Sequence, residues 1–331
     1  MNTIWPIPKI KFMPFVEIEE TRPVALVYSN PAWHAVKEKL KLPIAWKVEV
    51  FEATIENWNR LMENFQGEVI YAVGGGLTAD AAKYISVMKN VPMVCLPTAL
   101  SVDAYLTWAS GIRESGYVRY IETKTPETLI VDLDVIAAGP ASIRAAGICD
   151  VLSIATGKWD WRFADEQGKN PLGMEYIPYI EQVAEAILQG ALDCAEAAGR
   201  GDPEGLKQLL DCLSLEVQMT NQIGHARPEE GSEHYFAYAV ENEVGPGKPH
   251  ADLLGPGILL MARAQGQDIS PLKKAMEVTH IPLKRIPYDV VVKTLHGLPE
   301  YCFRLHLPYS IAHALTEDLI TKICSHQPLL L

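Results

Sequence analysis

Up to Pro140 the sequence alternates short, unbroken apolar runs with segments of helical spacing, and beyond Pro140 the short runs stop. Residues 24–28, 46–51, 69–73, 92–96 and 129–131 read as strands bounded by turn-forming residues. Ser29-Asn30-Pro31 stops the first run and suits a helix start, and helical stretches at 54–65 and 79–88 separate later runs. Strands that are apolar throughout, rather than alternating, are buried on both faces, and intervening helices make them parallel. The expected fold is therefore an α/β N-terminal domain with a doubly wound, mainly parallel sheet, followed by an all-α C-terminal domain. The expected spans are 1–140 for a Rossmann-like dinucleotide-binding domain and 141–331 for a helical metal- and substrate-binding domain. In the second span, Ala-, Leu- and Glu-rich segments of helical spacing cover 179–198 and 204–221. Breaks fall at Gly199, Gly201, Pro203, Pro228 and Pro246-Gly247-Lys248-Pro249.

Composition narrows the function classes. Against 29 Lys and Arg stand 41 Asp and Glu, a net charge of −12, which argues against nucleic acid or an anionic membrane as partner. No stretch approaches the ~20 apolar residues needed to cross a bilayer, and the N-terminus lacks the pattern of a signal peptide. The cysteines are dispersed and form no C-x-x-C pair, as expected of reduced thiols in a cytoplasmic protein.

Three segments carry chemistry. Gly74-Gly75-Gly76-Leu77-Thr78-Ala79-Asp80 lies where a strand passes into a helix. Glycines there let backbone approach a ligand, and free N–H groups at a helix start attract phosphate. The pattern is neither G-x-G-x-x-G nor a P-loop, and a tight strand-to-helix turn is the plainer reading. Asp80 reads either as a charge favouring the helix dipole or as a group beside a bound cofactor. Thr98, Ser101 and Asp103 follow the next strand, where ligands bind in open α/β sheets, although local turn bonds explain such hydroxyls equally well. Finally, Asp150 is an acid inside an apolar helical stretch, costly to bury unless paired or bound to a metal. With His234 and His250 it would form a set of three protein ligands with one position open, the layout of catalytic zinc.

At these residues the chain resembles the glycerol-1-phosphate dehydrogenase family, within the wider iron-containing alcohol dehydrogenase and dehydroquinate synthase superfamily. Four segments in matching order carry the resemblance: Gly74-Gly75-Gly76 through Asp80 and Lys83; Pro97-Thr98 through Ser101 and Asp103; Ala146-Gly147 through Asp150 and on to Asp160-Trp161; and Arg227-Pro228 through Gly231-Ser232-Glu233-His234, then His250. The resemblance implies NAD or NADP along Gly74, Gly75, Gly76, Asp80, Thr98, Ser101 and Thr107, and one zinc or other divalent ion on Asp150, His234 and His250. It further implies substrate contacts at Asp103 and Asp150, and reversible hydride transfer between the nicotinamide and dihydroxyacetone phosphate. A homo-oligomer is expected on the same ground.

The substrate side departs from the family pattern. A histidine usual four residues after the first metal-ligand histidine is Tyr238 here, and the run Ser-His-Asp-Gly reads Ser101-Val102-Asp103-Ala104. A tyrosine, with an ordinary pKa of about 10, is a poor proton shuttle near neutrality. Glycerol 1-phosphate and a related small polyol thus both stand as substrates. A sugar-phosphate cyclase resembling dehydroquinate synthase and a non-catalytic NAD- and metal-binding homologue are the alternatives. Lys158 and Arg227 are two places for a substrate phosphate, each with a plainer reading as a solvated lysine or a loop anchor. No acid directly ends the first strand at Tyr28-Ser29-Asn30, so NADP stays open beside NAD.

Overall fold

The apolar runs become strands, and they pair in parallel. The computed structural model describes residues 3–114 and 116–324. Residues 1–2, 115 and 325–331, which belong to the expected spans 1–140 and 141–331, lie outside the described residues. The strands are β1 (Lys9–Phe12), β2 (Val24–Tyr28), β3 (Ile44–Glu49), β4 (Val69–Val73), β5 (Met93–Leu96), β6 (Ala109–Glu114), β7 (Tyr117–Glu122) and β8 (Thr128–Val131). Six form one sheet in the order β1-β8-β5-β4-β2-β3, every pairing parallel. β4 is buried at all five positions and β2 at four of its five, as strands covered on both faces must be.

Helices α1 (Asn30–Val36), α2 (Ile55–Leu61) and α3 (Gly76–Lys89) cross between the strands, and α4 (Leu133–Ala137) follows the sheet. From there the described chain is helical: α5 (Ala141–Arg144), α6 (Ile148–Leu152), α7 (Ile154–Glu166), α8 (Pro178–Arg200), α9 (Pro203–Ile223), α10 (Ser232–Val244), α11 (His250–Ala264), α12 (Ser270–Val278), α13 (Tyr288–Arg304) and α14 (Glu317–Cys324). None is long and apolar enough to cross a membrane.

The α8–α9 corner shows how the breaks work. Gly201 ends α8 in the left-handed conformation at φ +80°. Asp202 then caps α9 by accepting from Glu204 N (3.0 Å) and Gly205 N (3.2 Å), with Pro203 in the first helical turn. Gly199 lets α8 pass so close to the end of α12 that a Cβ there would sit 2.0 Å from the Val278 carbonyl oxygen.

Two elements lie outside the expected set. β1 is an edge strand, and its alternating Lys9-Ile10-Lys11-Phe12 offers no apolar run to read. β6 and β7 form an antiparallel hairpin between β5 and β8, closed by Gly116 at φ +83°. Its far side reaches the helices: Arg113 pairs with Glu241 of α10 at 3.3 Å, and Tyr301 of α13 donates to the Gly116 carbonyl at 3.2 Å.

Candidate active site

In the sheet order, the chain runs outward from β2 to β3 and then returns to the other side of β2 as β4. The carboxyl ends of β2 and β4 therefore flank a switch point, the place where open α/β sheets bind ligands. A cleft of about 1250 Å³ opens there and extends to the helices, larger than the roughly 300–1,000 Å³ of drug-sized pockets.

Its sheet-side wall is built around the glycine turn. Gly74 sits at φ +154°, and a Cβ on it would lie 2.6 Å from Thr78 Oγ1 and 2.9 Å from Ser29 Oγ, so only glycine lets β2 and α3 come together. Gly75 caps α3 with no side-chain hydrogen bond, leaving the helix N-terminus open to an anion. Gly75 and Gly76 line the cleft, while Gly74 shapes the turn from behind it.

Asp80, Thr98, Ser101 and Thr107 also line the cleft. Asp80 and Thr107 are already engaged there. The ammonium of fully buried Lys83 bonds Asp80 Oδ1 (3.0 Å), Thr107 Oγ1 (3.0 Å), the Ala104 carbonyl (2.8 Å) and the Ala109 carbonyl. The other Asp80 oxygen accepts from Gly111 N of the hairpin at 3.2 Å. One lysine thus ties α3, the loop after β5 and the start of β6 together.

The helical wall brings the three expected metal ligands to one point. One donor atom from each of Asp150 (α6), His234 (α10) and His250 (α11) lies within 4.8 Å of the others. The two imidazole centroids are 5.5 Å apart, and His250 Nε2 is 3.5 Å from Asp150 Oδ1. Pro246-Gly247-Lys248-Pro249 breaks the chain between α10 and α11, and Gly257 lets them close, its Cβ position being 2.7 Å from the Glu233 carbonyl oxygen.

Support for the set comes from neighbouring side chains. Asp150 Oδ2 accepts from Asp103 N at 3.0 Å, while its buried Oδ1 has no hydrogen-bond partner. His234 Nδ1 meets Glu233 Oε1 at 2.9 Å, a contact that orients the ring and leaves Nε2 as the donor. An orphaned carboxylate oxygen beside two imidazoles suits a divalent cation. Burial pushes the carboxyls of Asp150 and Asp103 up, Asp103 to about 6. Burial works against a charged His234, but the Glu233 contact together with the Glu230 and Asp150 carboxylates outweighs it and raises that ring to about 9. Burial and the charge of His234 together lower His250 to about 3.

Tyr238, one helical turn on from His234, lies 5.9 Å from its ring. Its hydroxyl donates to Glu230 Oε1 (3.0 Å) and meets Tyr120 Oη of the hairpin (3.0 Å). Burial and the Glu230 charge keep the phenol protonated far above neutrality, so it acts as a hydrogen-bond donor.

Lys158 and Arg227 do not line the cleft. Lys158 pairs with Glu185 of α8 at 2.8 Å. Arg227 is buried and donates to the Asp160 (3.2 Å) and Tyr309 (2.8 Å) carbonyls, anchoring the loop before α10. The structure therefore sets aside both phosphate readings in favour of the plainer ones.

The sequence pattern assigns no role to Glu216, Glu229, Glu230 or Tyr120, yet all four line the cleft. Glu216 and Glu229 each keep one buried oxygen without a partner, and burial pushes both carboxyls up. A signal for Glu216 existed. It occupies the same face of α9 as Leu209, Leu213 and Val217, a charge where the spacing calls for an apolar side chain.

Comparison with known proteins agrees with this geometry. A family model described as iron-containing alcohol dehydrogenase matches residues 11–140. A glycerol-1-phosphate dehydrogenase (NAD(P)+) from Sulfurisphaera tokodaii is 31% identical over 255 residues, covering 75% of this chain and 72% of the relative. The chain belongs to the glycerol-1-phosphate dehydrogenase family. A member from Metallosphaera sedula is 28% identical over the same coverage. Among solved structures, a glycerol dehydrogenase from Schizosaccharomyces pombe superposes with a TM-score of 0.69 at 20% identity, covering 98% of this chain and 91% of that one. A probable glycerol dehydrogenase from Sinorhizobium meliloti gives 0.74 at 16% identity, covering 98% and 99%. These similarities establish the fold. The family is one of enzymes that use NAD(P) and a divalent metal, and both groups have matching features in the cleft.

Proposed function

We propose that the chain is a metal-dependent, NAD(P)-linked dehydrogenase transferring hydride between nicotinamide and glycerol 1-phosphate or a related small polyol. The observation that carries this reading is the Asp150–His234–His250 donor set sharing one cleft with the open N-terminus of α3. In this reading residues 1–140 bind the dinucleotide and residues 141–331 supply metal and substrate contacts.

Gly75 and Gly76 offer backbone N–H groups to a pyrophosphate, with Thr98 and Ser101 beside them. Asp80 and Thr107 hold the wall through Lys83. Asp150, His234 and His250 would hold the cation, which supplies Lewis-acid polarisation of a substrate oxygen. Asp103, through its backbone N–H, and Glu233 fix the directions of Asp150 and His234. Tyr238 orients Glu230, whose carboxylate accepts a proton leaving the reacting hydroxyl. The acid-rich wall argues against the cyclase alternative, which needs several basic groups for its phosphate. A homo-oligomer and a cytoplasmic setting belong to the same reading.

Elemental analysis after metal loading, paired with an NADH-linked assay, tests it. The wild-type chain is expected to hold one divalent ion, and Asp150→Ala and His250→Ala to lose both metal and turnover. Full metal content in both variants would remove the ligand assignment.

A further inference from the structure

A dinucleotide can lie in this cleft in one direction only if its hydride is to reach the donor set. β4, which leads into the glycine turn, has β5 on one side and β2 on the other. The loop after β5 is tied to the donor set, since Asp103 N donates to Asp150 Oδ2 at 3.0 Å. With the pyrophosphate at the start of α3, the nicotinamide half therefore extends toward β5. The adenosine half runs the opposite way, over the carboxyl ends of β2 and β3.

Those strand ends carry acids and no permanent cation. Residues 29–34 and 50–57, the loops and helix starts that follow β2 and β3, contain Glu52 and Glu56 but neither lysine nor arginine. Glu52 is exposed and lines the cleft, as does Phe51, whose ring is 70% exposed. Backbone bonds fix their loop: the Glu52 carbonyl accepts from Trp58 Nε1 at 2.9 Å and the Ala53 carbonyl from Arg113 N at 2.8 Å. The cationic side chains around it are committed elsewhere. The Arg113 guanidinium turns to Glu241 of α10 (3.3 Å), Arg60 reaches Glu56 (3.9 Å), and Lys248 belongs to the loop before His250 at the metal end. His34 meets the Asn30 carbonyl at 3.0 Å and does not line the cleft. Helix starts add little there, because Pro31 withdraws an N–H from α1 and Thr54 Oγ1 already accepts from Asn57 N of α2 at 3.2 Å.

Resting on the dehydrogenase reading above, we propose that Glu52 sets the cofactor preference, for NAD over NADP. Its carboxylate accepts from the hydroxyls of the adenosine ribose and repels a phosphate at the 2′ position, while the Phe51 ring offers a face to the adenine. The strand beside the glycine turn ends at Tyr28-Ser29 without an acid, and Glu52 supplies that charge from one strand further out.

The test reads binding as well as turnover, on the full-length protein. Calorimetric titrations compare NADH with NADPH, and ADP-ribose with its 2′-phosphate, a pair that carries no nicotinamide. In each pair the member without the 2′-phosphate is expected to bind more tightly by on the order of tenfold, the scale of one partly screened like-charge contact. Glu52→Gln is expected to narrow both gaps and Glu52→Lys to close or reverse them. Both variants should melt with the parent, since Glu52 is exposed and Trp58 holds only its backbone carbonyl. A parent that binds NADPH as tightly as NADH, or gaps that both variants leave unchanged, overturns the proposal while the dehydrogenase reading stands. Failure of every one of these ligands to bind overturns both. NADH binding without turnover of any alcohol or ketone removes the dehydrogenase reading, and the binding ratios still decide the role of Glu52.

Discussion

Replacing Lys83 by methionine removes the most connected cation in the sheet region while keeping the length and apolar bulk of its stem. Lys83 is fully buried, and its ammonium serves Asp80 at 3.0 Å together with Thr107 and two backbone carbonyls. Removing one partner of a buried ion pair costs about 3–5 kcal/mol, because the other charge is left desolvated and alone. At about 2.1 cal/mol/K per residue, 331 residues unfold with an entropy of roughly 0.7 kcal/mol/K, so Tm falls by about 4–7 °C. Thermal melts by circular dichroism and urea titrations by tryptophan fluorescence measure this directly. The pH dependence supplies an independent signature. Burial already raises the Asp80 carboxyl, and losing Lys83 raises it further. The folded variant then binds a proton that the unfolded chain does not, so its deficit shrinks as pH falls and grows as pH rises. Adding Asp80→Asn should recover at least about 1 kcal/mol, since the partner no longer bears a charge. A single variant that melts with its parent, or a double variant worse than the sum of its parts, would refute the electrostatic account.

Two further predictions concern stability. Gly199→Ala drives a Cβ into the Val278 carbonyl and should destabilise by about 1–3 kcal/mol, whereas Gly297→Ala on α13, with open space around its Cβ position, should stabilise by about 0.5–1 kcal/mol. Burial lowers His225 and His313 to about 4, below the ordinary histidine value of 6.5. The unfolded chain therefore binds more protons between those values, and stability should drop as pH falls from about 6.5 to about 4. His225→Asn should flatten the slope measured by urea titration across that window.

Much of the sheet was readable because burial on both faces makes a strand a bare apolar run. Val69–Val73 is the clear case, buried at every position and followed at once by the glycine turn. β1 escaped because an edge strand with two lysines has no such run, and the hairpin because Ala109–Glu122 mixes polar and apolar residues without a strong alternation. The donor set is split over α6, α10 and α11, and spacing alone could not show its convergence. An acid in an apolar stretch suggested the set, and the four-segment resemblance made it specific. The carboxylates facing it were hidden for a different reason. Glu229 and Glu230 sit in a loop, and a loop acid looks solvated until the fold places another acid across from it.

The β6–β7 hairpin sits, by sequence, among the strands, yet its tip and edge are fastened to α10 and α13 through Arg113–Glu241, Tyr120–Tyr238 and the Tyr301–Gly116 bond. This limits how the chain can be recombined. A chimera that takes its first 140 residues from a relative inherits a foreign hairpin that must meet this chain's Tyr238, Glu241 and Tyr301. Swapped alone, the sheet region would carry its glycine turn intact but bring a mismatched wall to the part of the cleft beside Tyr238. The unit that can be exchanged as a working whole therefore includes residues from both sides of Pro140.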